Sequence, residues 1–577
     1  MSNKTYKIGI LREENDPWIR RAPLTPSDCE FIIKNFNIQI VVQQSEVRCF
    51  SDDEYKNLGC SIDEDLSSCD LILGIQPPMI NRLIEKKTYA ILAKVEKNNL
   101  STEFIDYVLK NRIRLIDYEN IKYTTINIPF KFPKNLSFSN LAGFAGVTNI
   151  LKLLAELLLS RKISTPFVFS RLAHMYSNTE DMVKHFISMG RFLEIQLIAK
   201  EVCPFVFGIL GNGNAAMGVI EALSNLPHKF ISISELLNIN SEYKNDIENE
   251  EYRNKIFICV FDYKDIYFNN YQEYSDLNMS EEFINNEKNL SDKFIYEDFS
   301  LNPNNYNSLF FHYLPYLSCI INCISWKSNF PKILRKNNFQ DILLFKKQKL
   351  LGICDISCDI DGSIEILNEY CSNSEPYFIY EPITDKKLKN MDLSTKESIL
   401  YHANPNLSDA FAEEASIQFS SKFKEYAVRI CKSYYCPKKL GRKTSNTSEI
   451  NTFDNEPDLQ ESVITEHGSI TDKFRNLIKT KFLESKSLNL MKFNIIVKLR
   501  GHIFDKGAFK KIIDECSKYN VVVNTIFLRV GENDESISVA YLELNSDIVE
   551  KLMEFNQLID KWLSEDVEKQ IVFSKLK

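Results

Sequence analysis

Short apolar runs alternate with helical stretches from near the start of the chain, and this alternation narrows the fold more than any other feature. KIGIL (7–11), IQIVVQ (38–43), DLILGI (70–75), YAILAK (89–94) and IRLIDY (113–118) have the length and composition of buried strands. Between them, TPSDCEFIIKNF and STEFIDYVLKN have helical spacing, with Thr25 or Ser27, and Ser101, placed as N-caps. Repeated strand–helix units call for an α/β fold with a parallel sheet covered by helices. A long apolar helix is expected over SNLAGFAGVTNILKLLAELLLSR, and a second α/β series follows: CPFVFGIL, a glycine turn, a helix, then KFISIS. SCIINCISW and KLLGICDISCDI read as two further buried strands.

The turn in FVFGILGNGNAAMGVIEAL sets Gly211, Gly213 and Gly218 after a strand and at a helix start. That arrangement suits a dinucleotide: a tight turn, close backbone approach to a pyrophosphate, and phosphate at a helix N-terminus. A plain strand-to-helix turn is the alternative. Gly211, Gly213, Asn214 and Gly218 are the cofactor-side candidates. In KFISISE the ribose-facing strand end falls on Ser232 or Ser234. With no carboxylate there to repel a 2′-phosphate, NADP is favoured over NAD, unless the strand runs on to Glu235.

Arg12, Arg20 and Arg21 cluster in the loop LREENDPWIRRAPLTP. Arginine forks suit substrate carboxylates; ion pairing with Glu13, Glu14 and Asp16 is the other reading. Two strands end on polar residues, Gln76 after LILGI and Lys94 after TYAILA, as if at the rim of a site.

Net charge is −8 with both signs interspersed, so no nucleic-acid partner is expected. The 14 cysteines form no CxxC pair and His numbers only 7, which favours reduced thiols over a metal site. The start lacks a signal core and an Arg-rich presequence, and no uninterrupted apolar run is long enough to span a bilayer. The expectation is a cytoplasmic protein without a membrane segment. Residues 238–305 read as a polar insertion and 438–462 as a linker. The last segment reads strand–helix–strand–strand–helix, of roughly ferredoxin-like order.

The chain resembles the lysine-ketoglutarate reductase half of the bifunctional aminoadipic semialdehyde synthase, a relative of saccharopine dehydrogenase (lysine-forming) and alanine dehydrogenase. The resemblance is carried by LREENDPWIRRAPLTP, EDLSSCDLILGI, KKTYA, IRLIDYENI, LAGFAGVTNIL, STPF…LAHMY, GNGNAAMG, INCISW and ICDISCDIDGSIE, in order, over about 6–425. VITEHGSITDKF and FNIIVKLRGHIFDKG resemble the connecting domain that follows the reductase; no glutamate-forming dehydrogenase domain follows Lys577, so that second activity is expected to be absent.

The resemblance implies two Rossmann-like domains with a cleft between them, plus a small C-terminal α+β domain. The substrate-side domain would cover 1–140 and resume over about 375–437. The dinucleotide domain would cover 141–374, and the connecting-type domain 463–577. The implied reaction reduces the imine of lysine and 2-oxoglutarate to saccharopine with NADPH, or NADH in some relatives. The implied partners are these small molecules, and self-association is compatible with it. Arg21 and Lys97, with Arg12 beside them, fall to substrate binding, Glu119 to the reaction centre, and Asp355 and Asp359 to a cleft-lining strand end or a simple cap.

The departures fall on the family's acid–base pair. Its lysine after LILG is Gln76 here, and its histidine is Lys94. An arginine after AHNY is Ser177, and a glycine is Ser139. Glutamine does not exchange protons near neutral pH, whereas a lysine with a lowered pKa does. Lys94 is therefore the candidate to supply the cation missing at position 76, and a fold that binds without catalysis is the competing expectation.

Overall fold

The computed structural model describes residues 5–475, apart from 15, 94, 96–99, 124–133, 136–137, 247–248, 270–293, 345–348, 392–393 and 434–456, and then four strands within 493–576. The chain divides into two units, Met1–Thr471 and Asp472–Lys577.

The first unit holds two large sheets. β1 (Tyr6–Ile10), β2 (Ile38–Val42), β3 (Ser61–Ile62), β4 (Leu71–Leu73), β5 (Thr88–Ile91) and β6 (Arg114–Asp117) pair in parallel in the order β6-β5-β4-β1-β2-β3. The crossovers include α1 (Pro26–Phe36), α2 (Asp52–Asn57) and α3 (Thr102–Lys110). Thr25 caps α1 by accepting from Asp28 N, and Ser101 caps α3 by accepting from Phe104 N. β7 (Lys122–Tyr123) and β8 (Lys134–Asn135) form a short antiparallel pair before α4 (Ser139–Ser160).

After α5 (Thr179–Gln196) the second sheet begins with β9 (Val206–Leu210), the glycine turn and α6 (Asn214–Leu223). β10 (His228–Phe230), α7 (Ile233–Asn245) and β11 (Ile256–Phe261) follow, then an antiparallel pair, β12 (Tyr267–Asn269) and β13 (Tyr306–Ser308). β14 (Cys319–Asn322), β15 (Gly352–Asp355), β16 (Phe378–Glu381), β17 (Lys386–Leu388) and β18 (Ile399–His402) complete the sheet in the order β10-β11-β9-β14-β15-β18-β16-β17. All pairs from β10 to β18 are parallel, and β16 and β17 add an antiparallel edge.

Apolar burial joins the two halves. Ile8 and Leu73 of the first sheet, Leu154 of α4, and Phe207 and Ile209 of β9 share one core, whereas Val206 and Leu210 face a second core on the other side of β9. Successive residues of a strand point to opposite faces, which is why a fully apolar run is required there. α4 is long and apolar enough to cross a membrane, yet 83% of that stretch is buried inside the fold.

Four expectations are corrected. Residues 238–305 are not one polar insertion: IFICVF (256–261) is β11, paired beside β9 and buried except at Val260. Only the stretch 270–293 of that region lies outside the described residues as a block. The return to the first sheet does not start near 375, because β16, β17 and β18 belong to the second sheet. It is made by the helix Ala412–Lys432, whose Ser416 and Ser420 hydroxyls accept from Ala22 N (2.8 Å) and Thr25 N (3.0 Å). The expected C-terminal boundary at 463 also moves. β19 (Val463–Glu466) pairs antiparallel with β6 and β20 (Ser469–Ile470) with β19, so this segment extends the first sheet. Finally, KFISIS is not one strand: β10 stops at Phe230, and Ser232 begins α7.

In the second unit, β21 (Phe493–Gly501), β22 (Val522–Arg529), β23 (Ser538–Ser546) and β24 (Ile571–Leu576) form an antiparallel sheet in the order β22-β23-β21-β24. This is ferredoxin-like order, with a fourth strand added to the three expected. The helices expected between the strands lie outside the described residues.

Candidate active site

A cavity of about 360 Å³ opens between the two sheets of the first unit. Arg21, Asp117, Glu119 and Ser408 line one side; Gly213, Asn214, Cys323, Trp326 and Ser357 line the other. The second wall lies at the carboxyl ends of β9 and β14, where the strand order reverses direction. Open parallel sheets bind ligands at such switch points.

The glycine turn has the tight, open backbone that a dinucleotide site calls for. Gly211 has φ +96°, in the left-handed region, and donates from its N to Phe261 O at 2.7 Å. A side chain there would be strained and 3.2 Å from Cys323 O. Gly213 precedes α6, and a Cβ on it would meet nothing within 4 Å, leaving the helix start open for a phosphate. Gly218 does something different from the expected cofactor contact. Its Cβ would lie 2.0 Å from Asn140 O, so it is the close backbone contact between α6 and α4 that requires glycine.

Arg21 is buried in the wall. Its NH2 lies 2.8 Å from Asp409 Oδ2, its NH1 donates to Ser408 Oγ at 2.9 Å, and the guanidinium stacks 4.5 Å from the Phe138 ring. Its Nε meets no hydrogen-bond partner among the described residues. A buried donor without a partner is costly.

Glu119 faces the cavity from the loop after β6. Beneath it, Asp117 accepts from Ala93 N (3.2 Å), Val95 N (3.4 Å), Glu119 N (3.2 Å) and Asn120 Nδ2 (3.3 Å). Burial first, then the Glu119 charge, push Asp117 up to about 7. Asp117 thereby fixes the backbone on both sides of Lys94. Lys94 and Lys97 themselves lie outside the described residues.

Other candidates fall elsewhere. Gln76 and Arg12 line a separate crevice of about 240 Å³ at the switch point of the first sheet, which shares no lining residue with the cleft cavity. Arg12 is held by Glu14 at 2.8 Å and Glu64 at 2.9 Å, the ion-pairing reading of the arginine loop rather than a substrate fork. Gln76 donates from Nε2 to Asn406 Oδ1 at 3.4 Å, and its N donates to Glu13 Oε2 at 3.1 Å. Desolvation of the half-buried Glu13 carboxyl pushes it up to about 7.

Asp355 is a strand-end cap, not a cofactor contact. It is buried and accepts from Asn322 Nδ2 (2.9 Å), Cys358 N (2.9 Å) and Tyr401 OH (2.8 Å). Ser232 is likewise a cap, accepting from Glu235 N in a capping box at the start of α7.

Three residues that sequence reasoning passed over stand out: Asp117, Asp409 and Asp262. Asp262 directly follows β11, caps the short helix Tyr263–Ile266 and accepts from Asn212 Nδ2 of the glycine turn at 3.1 Å. Its signal in the sequence was the acid directly after the apolar run IFICVF.

A family model for the alanine dehydrogenase/PNT N-terminal domain matches residues 9–128, and one for the LOR/SDH bifunctional enzyme conserved region matches 494–572. The chain is 30% identical over 559 residues to alpha-aminoadipic semialdehyde synthase of Arabidopsis thaliana, covering 94% of this chain and 48% of that protein. It is 27% identical over 489 residues to the mitochondrial alpha-aminoadipic semialdehyde synthase of Mus musculus, covering 82% and 48%. The chain spans about half the length of the curated relatives it matches. Among solved structures, a transhydrogenase from Sinorhizobium meliloti aligns at 9% identity and TM-score 0.39, over 80% of this chain and 98% of that one. The matches to family models at both ends and to relatives along nearly the whole length agree, and together they support assignment of the chain to the lysine-ketoglutarate reductase and saccharopine dehydrogenase family.

Proposed function

We propose that the chain is a nicotinamide-dependent oxidoreductase of lysine catabolism that reduces the imine of lysine and 2-oxoglutarate to saccharopine. The observation that carries this reading is the cavity that the glycine turn, Glu119 and the buried Arg21 line together. The names of the relatives and the nicotinamide dependence of their families support it.

The dinucleotide would lie on Gly211–Asn214 and the start of α6, and supplies hydride when bound. Arg21 would take a substrate carboxylate, its charge held in place by Asp409. Glu119 would exchange the protons of dehydration and imine protonation, since general acid–base help of this kind is worth about 10²–10⁴-fold. The opposed walls would exclude water from the imine carbon.

Gln76 favours a second reading, a dinucleotide-binding protein without turnover, because its carboxamide exchanges no proton and lines the other crevice. Mixing the protein with NADH or NADPH, lysine and 2-oxoglutarate separates the two. Loss of nicotinamide absorbance that needs both substrates supports the reductase; saturable dinucleotide binding without loss supports the second reading.

A further inference from the structure

The ribose end of a dinucleotide is read by the strand that lies beside the glycine-turn strand. In this fold that strand is β11, not β10: Phe257 to Phe261 pair with Val206 to Leu210, while β10 sits one place further out. Asp262 follows directly. Its Oδ1 accepts from Tyr263 N at 2.7 Å as the N-cap of the short helix Tyr263–Ile266, in a capping box with Asp265, so it too is a cap; unlike Ser232 it also faces the glycine turn, where its Oδ2 accepts from Asn212 Nδ2 at 3.1 Å. A carboxylate has room for about four hydrogen bonds, so acceptor capacity remains beside the turn.

The residues expected to read the ribose are occupied elsewhere. Ser232 caps α7 at the far side of β11, and Glu235 is locked by Ser232 N at 2.8 Å and Ser232 Oγ at 3.0 Å.

We propose that Asp262 binds the adenosine ribose hydroxyls and selects a dinucleotide with a free 2′-hydroxyl, making NAD(H) the preferred cofactor over NADP(H). A 2′-phosphate at that position would bring its negative charge against the carboxylate. The preference expected from KFISIS is thereby reversed, because the selecting strand is a different one. This inference rests on the glycine turn holding a dinucleotide.

The test is fluorescence titration of the full chain with NADH and with NADPH, without substrates. NADH should bind about tenfold tighter or more, the scale of one like-charge repulsion near a protein surface. Asp262→Asn, which keeps the shape and removes the charge, should close that gap chiefly by tightening NADPH. Asp262→Ser should move the ratio further in the same direction, and Glu235→Gln should leave it unchanged. Tighter NADPH binding by the unaltered protein would overturn the proposal, as would an unchanged ratio in a folded Asp262→Asn. Absence of binding by either nucleotide would instead overturn the dinucleotide reading beneath it.

Discussion

The Arg21 guanidinium and the Asp409 carboxylate lie 2.8 Å apart, both buried, and tie the loop after β1 to the approach of the helix Ala412–Lys432. Asp409 Oδ1 also accepts from the backbone N of Arg20 (3.0 Å) and Arg21 (3.3 Å). Removing one partner of a buried pair strands the other charge and typically costs about 3–5 kcal/mol. Asp409→Ala should therefore lower stability on that scale, measured as a shift in urea midpoint, and should loosen the wall of the cleft. A loss of only a few tenths of a kcal/mol would mean that the pair is solvated.

Arg21→Lys keeps the charge and loses the planar fork. One charge-assisted hydrogen bond is worth about 1.5–3 kcal/mol. The variant should raise KM for 2-oxoglutarate on the order of 10- to 100-fold, with dinucleotide affinity unchanged. Equal losses for both ligands in steady-state and titration measurements would show a general disruption rather than a carboxylate contact.

Glu119→Gln keeps size and removes the exchangeable proton. Its kcat should fall by about 10²–10⁴-fold while dinucleotide titrations stay unchanged. Full activity in Glu119→Gln would shift proton transfer to another group of the cleft.

Asp355 is held up to about 6, against an ordinary value of 3.8, because burial disfavours its charge. A carboxyl raised in the folded state binds its proton more firmly there than in the unfolded chain. Its contribution to stability is present at low pH and lost as pH rises through that window. Asp355→Asn removes the titration, so the stability of the unaltered protein relative to the variant should decline between about pH 4 and pH 6.5. Denaturant midpoints across that range check it; a rise in the stability of the unaltered protein relative to the variant over the same range would contradict the burial argument.

Much of the architecture was legible because the strands are apolar enough to be buried on both faces. The runs from KIGIL to IRLIDY correspond to strands of the first sheet, and Thr25 and Ser101 cap the helices they precede. IFICVF was overlooked because Asn- and Glu-rich text surrounds it, although a six-residue apolar run cannot remain in solvent. That oversight hid Asp262. Ser232 and Glu235 carried their own correction, since serine followed three residues later by glutamate is a capping-box signature. Asp409 was beyond reach: it pairs with a residue 388 positions away, and nothing local marks such a contact. Arg12 lies in the same loop as Arg21, and Gln76 follows β4 at what reads as a site rim, yet both line the other crevice.

The most direct measurement follows hydride from cofactor to product. The protein is incubated with nicotinamide dinucleotide carrying deuterium on the transferable position, lysine and 2-oxoglutarate, and the product is read by mass spectrometry. The account predicts saccharopine with a single deuterium on the carbon that was the oxo carbon of 2-oxoglutarate. Saturated dinucleotide with no labelled saccharopine would contradict it and leave a fold that binds without reducing.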